Sequence, residues 1–248
     1  MDLIESNQLA NEKEHWWIKT RFRYILRALN LIDSEQQQIL EVGCGTCQNL
    51  AFLRESPHLS SQIHRVVGFD PLFKDIPKFS WQKTEDVFVN TLPATSKKSF
   101  DCLLAMDVLE HLQDDEHHLR LWLDYMHDDG IILITVPAFP SLWSYHDELL
   151  HHYRRYTKKT LLSLTEKVGL RPVLLTYAFS YVFPLVYLIR KLSRKQSNTD
   201  LQQSHFLINA ILYSLGKTEA FFGGNPFFGT SVVGIFTDAN SNRNSLLQ

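Results

Sequence analysis

The chain is poor in cysteine, in net charge and in long apolar runs, and each shortage excludes something. Three cysteines among 248 residues do not make a disulfide scaffold, so a reducing compartment is expected. A formal charge of −2 provides no basic field, so no nucleic-acid partner is expected. The first ten residues, MDLIESNQLA, lack the basic start and apolar run of a secretory signal, and the expected location is cytoplasmic. No internal repeat or low-complexity tract is present, and the polar tail over 240–248 is expected to fray. The apolar run AFSYVFPLVYLI, 178–189, falls short of the roughly 20 residues of a membrane span, and Pro184 interrupts it.

What is present is a repeating strand–helix pattern. Trp17, Phe22, Ile25, Leu26 and Leu29 recur at helical spacing and predict a helix over 15–31. Apolar runs predict strands over 38–42, 64–69, 81–87, 100–106, 131–136, 170–177 and 231–236. Helices are expected over 48–55, 114–127 and 157–168, the last capped by Thr157 and stopped by Gly169. The alternation argues for one doubly wound α/β domain with a mostly parallel sheet. A hydrophobic content of 44% is enough for one sizeable core.

The string Glu41 to Cys47, EVGCGTC, admits three chemistries. Cys44 and Cys47 could form a thiol redox pair, or half of a zinc site. No second cysteine pair exists to complete the zinc site, and a redox pair leaves Glu41 without a purpose. In the nucleotide reading, Gly43 and Gly45 let the backbone turn sharply beside a ligand, and the following helix start offers free amides. Asp70, at the end of the next strand, is the acid that can grip both hydroxyls of a ribose. Gln48 stands where a dinucleotide fingerprint wants a third glycine, so Gly-x-Gly alone does not decide.

The ordered set ILEVGCGT, VVGFD, FDCLLAMDVLEHL and GIILITVPA resembles the class I S-adenosylmethionine-dependent methyltransferases. The resemblance covers roughly 38–177, and the later GTSVVGIF looks like that family's last strand. It implies a Rossmann-like, doubly wound, seven-stranded sheet, mostly parallel with an antiparallel last strand. It also implies S-adenosyl-L-methionine as cofactor. Glu41, Gly43, Cys44 and Gly45 would hold its methionine end, Asp70 its ribose, and Glu85 or Asp86 its adenine. Ala105, Met106 and Asp107 would pass beside the transferring methyl. Cys47 replaces a small residue, often glycine, of the family loop. VPAFPSLWSYHDELLHHYRRYT resembles a bacterial subgroup in which Val-Pro-Ala precedes Leu-Trp, an Asp and His-x-Arg-Arg-Tyr; His15, Trp16 and Trp17 match it too.

Methyl transfer is an in-line displacement, and a hydroxyl acceptor benefits from a general base. Candidates after the fourth and fifth strands are Asp107, Glu110, His111, His146, Asp147 and His152, with His111, His152 and Asp107 as the catalytic choice. Ubiquinone-pathway and small-RNA methyltransferases carry a similar Glu-x-x-Glu-His run that holds a divalent metal. Glu-His after the fourth strand is also widespread in metal-free members, and no metal is expected here. Trp143, His146, Arg154 and Tyr156 are expected to contact the acceptor, Arg154 because a guanidinium fork suits carboxylate or phosphate.

Residues 1–36 are expected to form a helical lid. Residues 37–177 with 227–239 form the cofactor-binding core, and 178–226 a helical insert over the acceptor pocket. Arg190, Lys191, Arg194 and Lys195 follow the insert's apolar run, then a polar linker over 196–204 and a second amphipathic stretch over 206–222. Through 178–222 the insert is expected to contact a membrane surface or a second copy; the first would put the protein at the inner face of the membrane. The activity expected is O-methylation of a small-molecule, lipid-linked or sugar acceptor. The rivals are a non-catalytic, cofactor-binding regulator or scaffold and, more remotely, a thiol redox protein.

Overall fold

Strands that are apolar throughout need cover on both faces. In the computed structural model, which describes residues 14–192 and 206–241, they have it. β1 (Gln37–Val42), β2 (Ile63–Phe69), β3 (Val87–Val89), β4 (Phe100–Met106), β5 (Met126–Pro137), β6 (Leu170–Ala178) and β7 (Ser231–Asp238) form one sheet of seven strands. Their order is β3-β2-β1-β4-β5-β7-β6. β1 to β5 pair in parallel, while β7 runs antiparallel between β5 and β6. Neighbouring residues of one strand serve opposite faces. Ile39, Leu104 and Ile131 enter one core with Ile18, Phe22 and Ile25 of the N-terminal helix. Leu40, Leu103 and Ile132 enter the other with Leu161 and Leu164.

Eight helices surround the sheet among the described residues: α1 (Trp16–Leu29), α2 (Gln48–Glu55), α3 (Pro57–Gln62), α4 (Asp115–Leu123), α5 (Tyr145–Leu149), α6 (Lys158–Lys167), α7 (Phe183–Leu192) and α8 (Phe206–Phe221). α6 starts where expected, because the Thr157 hydroxyl accepts from the Thr160 amide. α3 and α5 were not foreseen. α4 stops at Leu123, short of the expected 127, because Met126 pairs with Phe100 and already belongs to β5.

The strand expected over 81–87 is corrected to Val87–Val89. Residues 79–86 instead close a loop: Phe79 stacks on Trp81 at 4.7 Å, and the Gln82 amide donates to the Asp86 carbonyl at 3.0 Å. The tail beyond Ser241 lies outside the described residues. So do residues 1–13, the basic pair Arg194 and Lys195, and the linker over 196–204.

α1 and α8 lie together although far apart in sequence. Trp16 donates its amide to Asn209 at 2.8 Å, and Arg23 reaches the Tyr213 hydroxyl at 2.8 Å. Gly216 permits this contact, since a side chain there would drive into the Thr20 hydroxyl. Glu219 of α8 accepts from the amides of Phe179 and Ser180 and so fixes the corner after β6.

Asp86 was expected at the adenine, and the structure corrects this. Its carboxylate is buried in an ion pair with Arg54 of α2 and also accepts the amides of Val66 at 3.0 Å and Lys83 at 2.8 Å. Every face of that carboxylate is occupied. Asp86→Ala leaves the buried guanidinium unpaired and should lower stability by about 3–5 kcal/mol in urea titration. Ligand affinity of the folded protein should be unchanged, which an adenine-contacting residue would not allow.

Candidate active site

The sheet order reverses between β1 and β4, and in open α/β sheets ligands bind in the space outside the carboxyl ends of the strands at such a point. The loop after β1 enters it. Gly43 has φ +62°, and a Cβ there would sit 2.7 Å from Val108, so only glycine fits. Gly45 also has positive φ, and so does Cys47, the residue before α2. A left-handed backbone at position 47 explains why glycine suits it. Cysteine remains there with its side chain packed in the core. The Cys44 and Cys47 sulfurs lie 3.6 Å apart, both buried and free. The hydrogen bond with Cys47 and burial push the Cys44 thiol far up, which keeps it protonated and a poor nucleophile.

Asp70 ends β2. One carboxylate oxygen accepts the Gly45 amide at 2.9 Å and the other the Leu72 amide at 2.9 Å. The carboxylate braces the glycine loop and keeps a second lone pair on each oxygen for hydroxyl donors. Glu85 is exposed in the loop before β3. At the carboxyl end of β3 stands Asn90, whose amide reaches the Phe73 carbonyl at 3.3 Å in the loop after Asp70. Sequence reasoning missed Asn90 because it placed this strand too early; the polar Asn90–Thr91 after the apolar VFV was the usable signal.

Two buried polar side chains, Arg21 and Glu41, and the half-buried Asp107 meet beside the glycine loop with donors and acceptors to spare. Arg21 of α1 is 3% exposed; its Nε and one terminal nitrogen have no hydrogen-bond partner. That nitrogen is 3.2 Å from an Asp107 carboxylate oxygen, in an ion pair whose alignment makes no hydrogen bond. The Arg21 guanidinium also lies over the Trp17 ring at 4.4 Å. Glu41 accepts from the Asn49 amide at 2.5 Å through one oxygen, while its other oxygen is unpartnered. Burial pushes Glu41 up to about 7, against the Asn49 hydrogen bond and the Arg21 charge. A buried cation beside a buried and a half-buried acid, all under-bonded, suits a zwitterion whose carboxylate meets Arg21 and whose ammonium meets the acids. Asp107 itself has φ +56°, which turns the chain out of β4 after the buried Ala105 and Met106. Arg21 was missed because nothing in its helical spacing distinguishes it from a surface arginine.

A second polar cluster lies further along the same edge. Glu110 is 1% exposed with one oxygen unpartnered, and burial, then the Asp107 charge, raise it well above the usual carboxylate range. The His111 and His152 rings meet edge to face at 4.6 Å. Ligand atoms of Glu110, His111 and His152 lie within 4.8 Å of one another, so this is the place where a divalent cation could be held. His152 Nδ1 is 3.0 Å from Asp147. Asp147 is fully buried and also binds Arg155 at 2.6 Å and the Ser144 amide at 2.9 Å. Burial opposes its charge, but the bonds from His152 and Arg155 outweigh that and hold its carboxyl well below the usual range. Asp147 is therefore an anchor and not a base.

The same network reassigns the His-x-Arg-Arg-Tyr string. Arg155 donates to the Ala138 carbonyl at 3.0 Å and pins the chain after β5. Tyr156 is corrected from an acceptor contact to a core residue: its ring is 3% exposed and its hydroxyl donates to Asp115 at 2.7 Å. Arg154 braces the same region through the Gln113 carbonyl at 2.6 Å and Asp115 at 3.0 Å. Trp143 is exposed and His146 half-buried on the loop and short helix around Asp147.

A family model described as "Methyltransferase domain" matches residues 16–175. No curated protein sequence matches. Among solved structures, a SAM-dependent methyltransferase from Archaeoglobus fulgidus is similar at 16% identity, covering 88% of this chain and 93% of that one, with a TM-score of 0.50. The Burkholderia thailandensis 1,6-didemethyltoxoflavin-N1-methyltransferase, solved with its substrate and S-adenosylhomocysteine, is similar at 15% identity over 96% and 88%, with a TM-score of 0.52. A Haloferax volcanii chain solved with the Trm112 methyltransferase activator is similar at 14% identity over 96% of each chain, with a TM-score of 0.55. These likenesses concern the fold. The family match spans most of the chain, from the first turn of α1 into β6, and on it this chain belongs to the methyltransferase-domain family as an S-adenosylmethionine-dependent methyltransferase.

Proposed function

We propose that this enzyme methylates a hydroxyl oxygen of a small-molecule, sugar or lipid-linked acceptor, with His152 as the base. The observation that carries this reading is the imidazole held by a buried carboxylate. Asp147 accepts a hydrogen bond from the Nδ1–H of His152, which leaves Nε2 as the nitrogen able to accept a proton from a hydroxyl. His111, perpendicular to His152, positions the acceptor. Trp143 and His146 flank it, and Asp107 lies towards the cofactor. Bound S-adenosylmethionine supplies a methyl group on a sulfonium. Arg21 takes its carboxylate, Glu41 and Asp107 its ammonium, Asp70 its ribose hydroxyls, and Asn90 lies on the adenine side. α1 covers the methionine end and excludes water, because Trp16 and Trp17 lock it against Phe179.

The cofactor assignment is tested by calorimetry with S-adenosylhomocysteine. Micromolar binding is expected, and Asp70→Ala should abolish it. Arg21→Ala should weaken it by about 10- to 100-fold, the value of a charge-assisted hydrogen bond. An unchanged affinity in Arg21→Ala would remove that contact.

Glu41 makes both stability and binding pH-dependent. Its carboxyl is raised from 4.5 to about 7, so the stability linked to it is complete below 4.5 and is lost as pH rises through about 7. Affinity for S-adenosylhomocysteine should rise over the same interval, because the ligand's ammonium favours ionised Glu41. Glu41→Gln should flatten both profiles.

A screen of lipid, quinone and sugar acceptors would supply a substrate for the catalytic test. His152→Ala should then lower kcat by about 10²- to 10⁴-fold, with S-adenosylhomocysteine affinity unchanged. The Glu110–His111–His152 cluster also admits a second reading, in which a divalent cation sits there. Full activity in EDTA is the outcome expected for the base. Loss of activity restored by one divalent ion would transfer the role to the metal.

A further inference from the structure

α7 and α8 are amphipathic the wrong way round for a water-facing surface. On α8 the packed side carries Asn209, Tyr213, Gly216 and Ala220, which meet α1 or lie buried or half-buried. The opposite side carries Leu207, Ile208, Ile211, Leu215 and Phe221, exposed by between 47% and 78%. α7 repeats the inversion. Its inward side holds Phe183, Val186 and Arg190, and its outward side Leu185, Leu188 and Ile189. Phe222 and Phe227, each more than three-quarters exposed, extend the apolar surface beyond α8. Large apolar side chains this exposed on two helices of the insert mark an interaction site.

Charge selects the occupant. Among the described residues of the two helices, the charged side chains are Arg190, Lys191, Lys217 and Glu219. Glu219 is turned inward onto the Phe179 and Ser180 amides, and Arg190 inward onto the Leu142 carbonyl at 2.8 Å. Lys191 and Lys217 remain exposed, so the outward charge is wholly basic. Pairing two copies through this face would bring like charges together, whereas an anionic surface neutralises them. Neither helix is long and apolar enough to cross a membrane. We propose that the outward faces of α7 and α8 dock the enzyme on the surface of an anionic bilayer.

The docking face is joined to the active-site edge. Phe183 contacts Phe139, directly beyond β5, at 5.6 Å, and Phe228 at 5.4 Å. Arg190 links α7 to the loop that carries Trp143 and lies 3.7 Å from Asp147. Docking therefore sets the acceptor side of the crevice near the lipid. The proposal goes beyond the catalytic reading and stands whichever atom is methylated.

Flotation of the full chain with vesicles tests it. The protein should co-float with phosphatidylcholine vesicles containing phosphatidylglycerol, and high salt should release it. Lys191→Gln with Lys217→Gln should lower partitioning roughly 30-fold, because each basic residue near an anionic surface is worth about fivefold. Ile211→Ser with Leu215→Ser should abolish it. Both variants should bind S-adenosylhomocysteine as the parent does, which shows an intact fold independently of acceptor chemistry. Absence of co-flotation at low salt overturns the proposal. So does a dimer that Ile211→Ser with Leu215→Ser splits while no vesicle binding is seen; the face would then be a contact between copies.

Discussion

One buried carboxylate, Asp147, ties together the parts of this molecule that sequence distance keeps apart. It starts α5 through the Ser144 amide and orients His152. Through Arg155 it reaches the end of β5 at Ala138, and Arg190 of α7 stands within 3.7 Å. A buried charge is tolerated only when it is paired and fully hydrogen-bonded, so the network has one satisfactory arrangement. The catalytic loop, the sheet edge and the insert share that arrangement. Removing Asp147 would leave the buried Arg155 without its carboxylate.

The second constraint acts at the other end of the crevice and has the opposite character. Arg21 and Glu41, buried, and Asp107, half-buried, lie together with bonding capacity left over. Such a group stores an electrostatic deficit that a zwitterionic ligand relieves. The bonding around Asp147 is saturated, whereas that around Arg21 and Glu41 is not.

Much of the fold was legible because its signals are local. Thr157 and Gly169 bound α6, and continuous apolar runs mark β4 and β5. Gly43 and Asp70 were legible for the same reason, since a tight turn and a strand-end acid are read within a few residues. β3 was misplaced because its three residues carry little pattern, while the aromatic loop before it mimics a strand. The roles of Asp86, Tyr156 and Arg21 were not legible at all. Each depends on a partner far along the chain: Arg54, Asp115 and Asp107. The Arg-Arg-Tyr string drew attention as a possible recognition motif, and its distinctiveness comes instead from holding the site loop in place.

The close approach of Gly216 to Thr20 has a consequence for how such an enzyme can change. α1 and α8 behave as one part made from two distant stretches of chain, joined where a side chain larger than hydrogen cannot pass. A substitution on either helix is judged by the other. Variation in this region must therefore arrive in matched pairs, and transplanting the insert alone into a related enzyme would carry half a module.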